Sequence, residues 1–162
     1  MRALAWVTLP VWALDFVTKR LAAGGLQPPH TPHQVSGDAV RLTLAYNQRG
    51  VMGLPVGPYG RWLLIGASIV LLAVLIRLLH TTRAGDRLRA TALALIVGGA
   101  LGNLLDRLVS GRGVVDFIDI GFGTWRFWTF NLADVAIDAG AALLAWALWR
   151  PARETPVPRQ IH

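Results

Sequence analysis

The stretch TALALIVGGALGNLLDRLVSGRGVVDFIDI, residues 91–120, joins an apolar run to a segment that carries several carboxylates. Its first half has the composition of a helix inside a lipid bilayer. Asp106, Asp116 and Asp119 lie at or just after the end of that apolar run. Because an ionisable group at the edge of hydrocarbon is costly unless it is paired or faces a polar cavity, these carboxylates indicate a functional site.

The chain as a whole has the composition of a membrane protein. It has 162 residues, of which 54% are hydrophobic and 15% charged, whereas soluble domains are about 25% charged. We therefore expect a single polytopic membrane domain over residues 1–162. The net charge of +7 comes from basic residues scattered among apolar runs. That pattern is typical of interfacial anchors and argues against a nucleic-acid partner.

Other common chemistries have little support. Cysteine is absent, which excludes thiol nucleophiles, disulfides and cysteine metal sites. His30 and His33 resemble half of a metal site, but no further His or Cys lies nearby, so we expect no metal and no other cofactor. Serine chemistry is also disfavoured, because Ser36, Ser68 and Ser110 lie in no nucleophile motif.

Four stretches approach the length of about 20 apolar residues that a membrane-spanning helix needs. Their approximate bounds are residues 3–23, 62–79, 88–105 and 130–149. We expect the first to be a retained helix, because it shows no clean small-residue cleavage site. Residues of about 27–60 form a lobe outside the membrane, where prolines and glycines break helices and VRLTLAY alternates as a strand does. Residues of about 106–129 form a second loop, whose WRFW sequence suits the headgroup level.

The density of basic residues in the loops and tails predicts how the chain is oriented in the membrane. Four helices place both termini and the turn TTRAGDR on one side, and the raw counts of basic residues on the two sides are equal. On the terminal side, however, these residues are concentrated in short tails and one short turn. By the positive-inside rule we expect both termini in the cytoplasm and the Asp-rich segments near the outer face.

Polar residues recur at helical spacing in these stretches. Asp15 and Lys19 are four residues apart, so they share a helix face and are able to neutralise each other as a structural ion pair. Asn103 and Asp106 are three residues apart in the third helix and also share a face. Arg107 is adjacent to Asp106, and an Asp–Arg pair at a helix end is common and by itself assigns no function.

The fourth helix begins with FNLADVAIDAG, in which Asn131 and Asp134 repeat the N-x-x-D spacing. An asparagine at a helix start is as often a cap as a ligand. Asp138 lies one further turn inward, and nothing in the sequence assigns it a role. Gly98 and Gly102 in the third helix form a small-xxx-small pair that favours close helix packing.

Several carboxylates near one membrane face favour two kinds of chemistry. In one, they carry protons or cations through a small membrane carrier. In the other, two of them share a proton and hydrolyse a bond, because like charges placed close together do not both ionise. Spacing alone does not decide between these, nor which of Asp106, Asp116 and Asp119 takes part.

Four motifs carry a resemblance to a known family. DFVTK (15–19), GGALGNLLDR (98–107), VVDFIDI (114–120) and FNLADVAIDAG (130–140) occur in this order on four hydrophobic stretches. Together they resemble lipoprotein signal peptidase, the bacterial signal peptidase II. The resemblance implies an all-α membrane protein with four transmembrane helices, a small extramembrane β-cradle and a short loop helix on the outer face.

The resemblance also implies an activity and its site. It implies a membrane-embedded aspartic endopeptidase that removes the signal peptide of prolipoproteins, cutting before a diacylglyceryl-modified cysteine. By position, the catalytic aspartates fall on Asp116 and Asp134. A further set is implied to bind substrate or support the site, with Asp106 supporting Arg107 or the local backbone: Asn47, Asn103, Arg107, Asn131, Asp15, Lys19 and Asp106.

The lobe departs from the family pattern. That pattern is N-x-G followed by small residues, Phe and Gly, whereas this chain reads NQRGVMG. Asn47 and Gly53 are in register, but Arg49 stands where Gly is expected and Met52 where an aromatic residue often lies. We therefore expect Asn47 to contact substrate within a lobe of altered geometry.

The resemblance thus predicts a multi-pass protein of the bacterial inner (cytoplasmic) membrane, with its active site near the outer face. Its expected partners are prolipoproteins and membrane lipids, and we expect a monomer. The alternative is the proton- or cation-coupled carrier using the same carboxylates. A peptidase cleaves its substrate in detergent, where no gradient exists, and a carrier does not.

Overall fold

The computed structural model describes residues 4–48 and 59–150. A π-helical turn, Leu4–Thr8, leads into the first of four α-helices. The helices are α1 Leu9–Gly25, α2 Gly60–Thr81, α3 Arg87–Val109 and α4 Leu132–Trp149. The strands are β1 Pro32–Ser36, β2 Val40–Asn47, β3 Val114–Phe122 and β4 Trp125–Arg126. All four predicted helices are present, and the strand predicted from VRLTLAY is confirmed as β2.

Three of the helices are long and apolar enough to cross a membrane within the part of the chain that the structure describes: α2, α3 and α4. Helix α1 has 17 residues and carries Asp15 and Lys19. A spanning role for α1, and so a bundle of four transmembrane helices, stays a prediction. Exposed leucines and valines cover the outer faces of the helices, among them Leu14, Leu63 and Val70, as expected for surfaces that contact lipid.

Helix α3 lies at the centre and packs against α1, α2 and α4. Its contact with α2 is made by large apolar side chains, including Leu93 and Val97. Its contacts with α1 and α4 are made at glycines: a Cβ at Gly98 would lie 2.9 Å from Val11, and one at Gly99 would collide with the backbone of Ala133. A Cβ at Gly102 would likewise collide with the Asp15 carboxylate of α1, so the close packing predicted for the pair Gly98 and Gly102 is confirmed.

The strands form one antiparallel sheet in the order β1-β2-β3-β4. Strand β3 comes from the loop between α3 and α4, and it pairs with β2 so that Asp116 lies opposite Ala45. Gly113 permits this pairing, because its φ of +98° suits glycine and a Cβ there would collide with the backbone of Asn47. The sheet therefore joins the two loops that the sequence treats as separate.

An ion cluster holds the end of the sheet where β4 and the β1-β2 turn meet. Arg126 contacts Asp119 at 2.8 Å and donates to the Asp38 carbonyl at 2.6 Å. Asp38 also pairs with Arg41, and Thr43 donates to Asp119 at 3.1 Å. Asp119 is thus occupied in holding β3 and β4 to the β1-β2 hairpin.

The short outer helix is not found where the structure describes the chain between α3 and α4. Residues 110–131 contain strands, turns and extended segments. Residues 49–58, which include Arg49, Met52 and Gly53 of the lobe motif, lie outside the described residues. The architecture is therefore helices with a small antiparallel sheet, with more strand in the second loop than the sequence predicts.

Candidate active site

Three elements converge where the sheet meets the helices. Residues 117 and 118 of β3 donate backbone hydrogen bonds to the Phe130 carbonyl at 3.0 and 2.8 Å. This pairing places the start of α4 directly beside Asp116. Asn103, one turn before the polar end of α3, faces the same point.

Asp116 lies on β3 with only 3% of its surface exposed. Its Oδ1 accepts a hydrogen bond from Asn131 Nδ2 at 2.6 Å, and the Asn47 side chain forms a second hydrogen bond to the carboxyl group. Burial away from water, and then the nearby charge of Asp134, raises the pKa of Asp116 to about 7. Asp116 therefore holds a proton over a pH range in which an exposed aspartate is ionised.

Asp134 lies in the first turn of α4 and accepts two hydrogen bonds. Asn103 Nδ2 donates to its Oδ1 at 2.8 Å, and the Asn131 backbone N–H donates to its Oδ2 at 3.2 Å. The Asp134 N–H in turn donates to Asn131 Oδ1 at 3.0 Å. This is a capping box at the helix start.

Asn131 links the two carboxylates. Its side-chain oxygen caps α4 while its side-chain nitrogen bonds Asp116. Asn131 therefore caps α4 and also contacts Asp116. The two predicted catalytic aspartates are brought together around one fully buried amide.

A buried cluster supports the site from the α1 side. Lys19 Nζ lies 2.8 Å from Asp15, 3.0 Å from Asp106 and 2.8 Å from Asn103 Oδ1. Asp15 also accepts from the Ala133 N–H at 2.9 Å, which satisfies a second free donor of the α4 terminus. The cluster of Asp15, Lys19 and Asp106 therefore joins α1, α3 and α4 below the two aspartates.

Asp106 contacts the local backbone and Lys19. Its Oδ2 accepts from the Val115 N–H at 3.2 Å and contacts Lys19, so it supports the local backbone. Among the described side chains it makes no ion pair with Arg107. Arg107 instead donates to the Asn103 carbonyl at 3.1 Å, and Arg61 caps the end of α3 at the Arg107 carbonyl at 2.9 Å.

Both aspartates line a cavity of about 550 Å³. Three of the residues expected to bind substrate or support the site, Asn47, Asn103 and Arg107, line it as well. Its other walls are mostly apolar and come from α2, α3, α4 and the segment before α4: Leu64, Leu71, Ala100, Phe127, Trp128, Phe130, Val135 and Ile137. The cavity thus places a polar reacting centre beside a surface suited to hydrocarbon.

Three polar cavity residues, Ser68, Thr129 and Asp138, were not among the predicted site residues. Ser68 lines the cavity from α2 and Asp138 from α4. The only sequence signal for them is polarity within an apolar helix, which Asp138 shows and Ser68 shows weakly. Within residues 4–48 and 59–150, no group of three His, Cys, Asp or Glu side chains is arranged to hold a metal ion.

Two carboxylates placed close together at one cavity are typical of a site for acid–base chemistry, and here the cavity lies between apolar helices. Two solved structures share the fold, and each is described as a bacterial membrane enzyme determined by the in meso method. The first aligns with a TM-score of 0.81 and 26% identity over 91% of this chain and 88% of its own. The second aligns with a TM-score of 0.80 and 25% identity over 96% of both chains.

The sequence comparisons identify the family. The family model for signal peptidase (SPase) II matches residues 7–150. The lipoprotein signal peptidase of Pseudomonas paraeruginosa is 40% identical over 148 residues, covering 90% of this chain and 86% of the relative. That of Serratia proteamaculans is 37% identical over 145 residues, covering 86% and 82%.

The chain belongs to the lipoprotein signal peptidase family, whose members remove signal peptides from prolipoproteins. The predicted family is thereby confirmed, and the carrier alternative is set aside. The protein is a bacterial membrane hydrolase.

Proposed function

We propose that the protein is an aspartic endopeptidase whose catalytic pair is Asp116 and Asp134. The observation that carries this proposal is the arrangement of both carboxylates around Asn131, at one cavity. The raised pKa of Asp116 supports it, because an acid–base pair needs one member that keeps its proton near neutral pH.

In this mechanism Asp134 is the ionised base and Asp116 the protonated acid. Asp134 takes a proton from water as the water oxygen bonds to the scissile carbonyl carbon, and Asp116 gives its proton to the carbonyl oxygen. When the tetrahedral intermediate collapses, Asp134 gives a proton to the leaving nitrogen and the C–N bond breaks. Asp116 then recovers a proton from the hydroxyl group, which restores the starting state.

The other polar residues hold this geometry. Asn103 fixes Asp134 and is itself held by Lys19. Asn47 contacts Asp116 from the lobe, where it is placed to bind substrate as well. Arg107 lines the cavity and offers donors to a peptide carbonyl.

The substrate we propose is a prolipoprotein carrying a diacylglyceryl cysteine, cut just before that cysteine. The apolar cavity walls support this, because they suit acyl chains and the apolar part of a signal peptide. We further propose that α1 also spans the bilayer and that both termini are cytoplasmic. The two aspartates then lie near the outer face of the membrane. The single membrane domain works as a monomer in contact with membrane lipids.

Cleavage is expected to depend on the lipid. Purified protein should cleave a diacylglyceryl prolipoprotein and leave the unlipidated precursor largely uncut, because each buried methylene contributes about 0.8 kcal/mol to binding. The measurement is the size shift of both precursors in detergent, without any ion gradient. Equal turnover of the two precursors would contradict the proposed substrate.

The pH dependence is expected to follow Asp116. Because the acid form of Asp116 is required and its pKa is about 7, kcat/KM should fall about tenfold per pH unit above that value. Folded Asp116 binds its proton more tightly than an unfolded aspartate of pKa about 3.9, so stability should fall as pH rises from about 4 to about 7. Initial rates and thermal unfolding across pH test both, and a flat rate profile up to pH 9 would exclude Asp116 as the acid.

A further inference from the structure

Asp138 is an acidic side chain in the cavity that the catalytic pair does not use. It lies on α4 one turn after Asp134, which places it about 6 Å farther from the sheet along the helix. Its side chain is exposed and lines the cavity. In the part of the chain that the structure describes, it has no hydrogen-bond or ion-pair partner, so no described contact requires a carboxylate there.

Ser68 is another polar side chain that lines the cavity and that the catalytic pair does not use. It lies on α2, two turns after the helix begins at Gly60, and it is half-buried. No described residue forms a hydrogen bond with its hydroxyl group. The neighbouring cavity residues along the same two helices, Leu64, Leu71 and Ile137, are apolar. On the α2 and α4 walls, Asp138 and Ser68 therefore bring hydrogen-bonding groups that have no partner among the described residues.

A signal peptide bound for cleavage needs hydrogen-bond acceptors for its backbone. A signal peptide crosses hydrocarbon as a helix, in which each backbone N–H is bonded internally. To place one peptide bond between Asp116 and Asp134, the chain must leave the helix for several residues before that bond. The freed N–H groups then lie at membrane depth without water, where an unpaired donor is costly unless the protein supplies an acceptor.

We propose that Asp138, assisted by Ser68, forms a subsite that accepts backbone N–H groups of the unwound signal peptide on the N-terminal side of the scissile bond. This proposal rests on the proposed function, because it takes Asp116 and Asp134 as the cutting point. The carboxylate is the acceptor, and the hydroxyl group serves as acceptor or donor on the α2 wall. Asp138 is thus a substrate-binding residue that takes no part in proton transfer.

The test compares Asp138→Leu, Asp138→Asn and the parent on a diacylglyceryl prolipoprotein. Leucine removes the acceptor and should raise KM about 10- to 100-fold, the range for a lost hydrogen bond to a charged group. Asparagine keeps a carbonyl oxygen and should restore most of the affinity. In both variants kcat and its pH profile should stay close to those of the parent. Ala142→Leu, at an exposed position of α4 away from the cavity, is the matched control.

A modified substrate identifies the contact itself. Semisynthetic substrates carry an ester in place of one amide at the second, third or fourth residue before the cleavage site, which deletes a single N–H. One of these esters should weaken cleavage by the parent at least about tenfold and have little further effect on Asp138→Leu. Esters that weaken both proteins equally would overturn the proposal, as would parental kinetics in Asp138→Leu.

Two other results have distinct meanings. A loss of kcat with an altered pH profile in Asp138→Leu would show a role in proton transfer and overturn the subsite. Failure of the proposed function would be seen elsewhere, as retained cleavage in Asp116→Asn or Asp134→Asn. The two hypotheses therefore fail in different experiments.

Discussion

Replacing Asp116 or Asp134 with Asn is expected to reduce prolipoprotein cleavage by more than about 10³-fold in each case, because the amide replaces a group that must gain and lose a proton. The double variant should be little worse than either single variant, since the two residues act as a unit. Initial rates with a lipidated precursor measure the effect.

The folding of these variants is a necessary part of the measurement. Asp116→Asn removes a buried ionisable group and should unfold at the same temperature as the parent or above it at pH 8. Asp86→Asn is the matched control, because Asp86 caps α3 far from the cavity and Asn is an equally good cap. A rate within a few-fold of the parent in either Asp116→Asn or Asp134→Asn would contradict the catalytic assignment.

Replacing Lys19 with Met is expected to have the largest effect on stability. Lys19 is 3% exposed and lies within 3.0 Å of both Asp15 and Asp106. Its removal leaves two carboxylates without their shared cation, and breaking a buried pair in this way costs about 3–5 kcal/mol. Thermal unfolding in detergent, read alongside the cleavage rate, tests this expectation.

Combined variants of Asp15, Lys19 and Asp106 show whether this cluster only stabilises the fold or also supports catalysis. Asp15→Asn with Lys19→Met, and the triple variant with Asp106→Asn, should recover much of the lost stability because no charge is left unpaired. Cleavage should stay reduced, since Asn103 loses its bond from Lys19 and holds Asp134 less well. Full activity in a stable triple variant would assign the cluster to structure alone.

The helices could be predicted from the sequence because hydropathy is a local property. The predicted third helix, residues of about 88–105, falls within Arg87–Val109. Strand β3 could not be predicted in the same way, since its partner β2 begins more than sixty residues earlier. Its sequence VVDFIDI alternates only in part, and the sheet contact that makes it a strand is not local.

The sequence by itself also could not predict which of the aspartates on β3 lies at the cavity. Asp116 and Asp119 are three positions apart on β3, an odd offset, so their side chains point to opposite faces of the sheet. Which face meets the helices is fixed by how β3 docks on β2 and Phe130, and spacing within the strand contains no information about that docking. The family resemblance selected Asp116, and the structure places Asp116 at the cavity and Asp119 in the ion cluster with Arg126.

The capping box at the start of α4 couples helix geometry to the reaction cycle. Asp134 accepts the Asn131 N–H through Oδ2, and a carboxyl group that has just taken a proton is a weaker acceptor than a carboxylate. Under the proposed mechanism the helix terminus is therefore loosened in the intermediate and tightened when the proton leaves. The first turn of α4 would thus be most mobile while the tetrahedral intermediate is held, and most rigid once the C–N bond has broken and the two product chains separate.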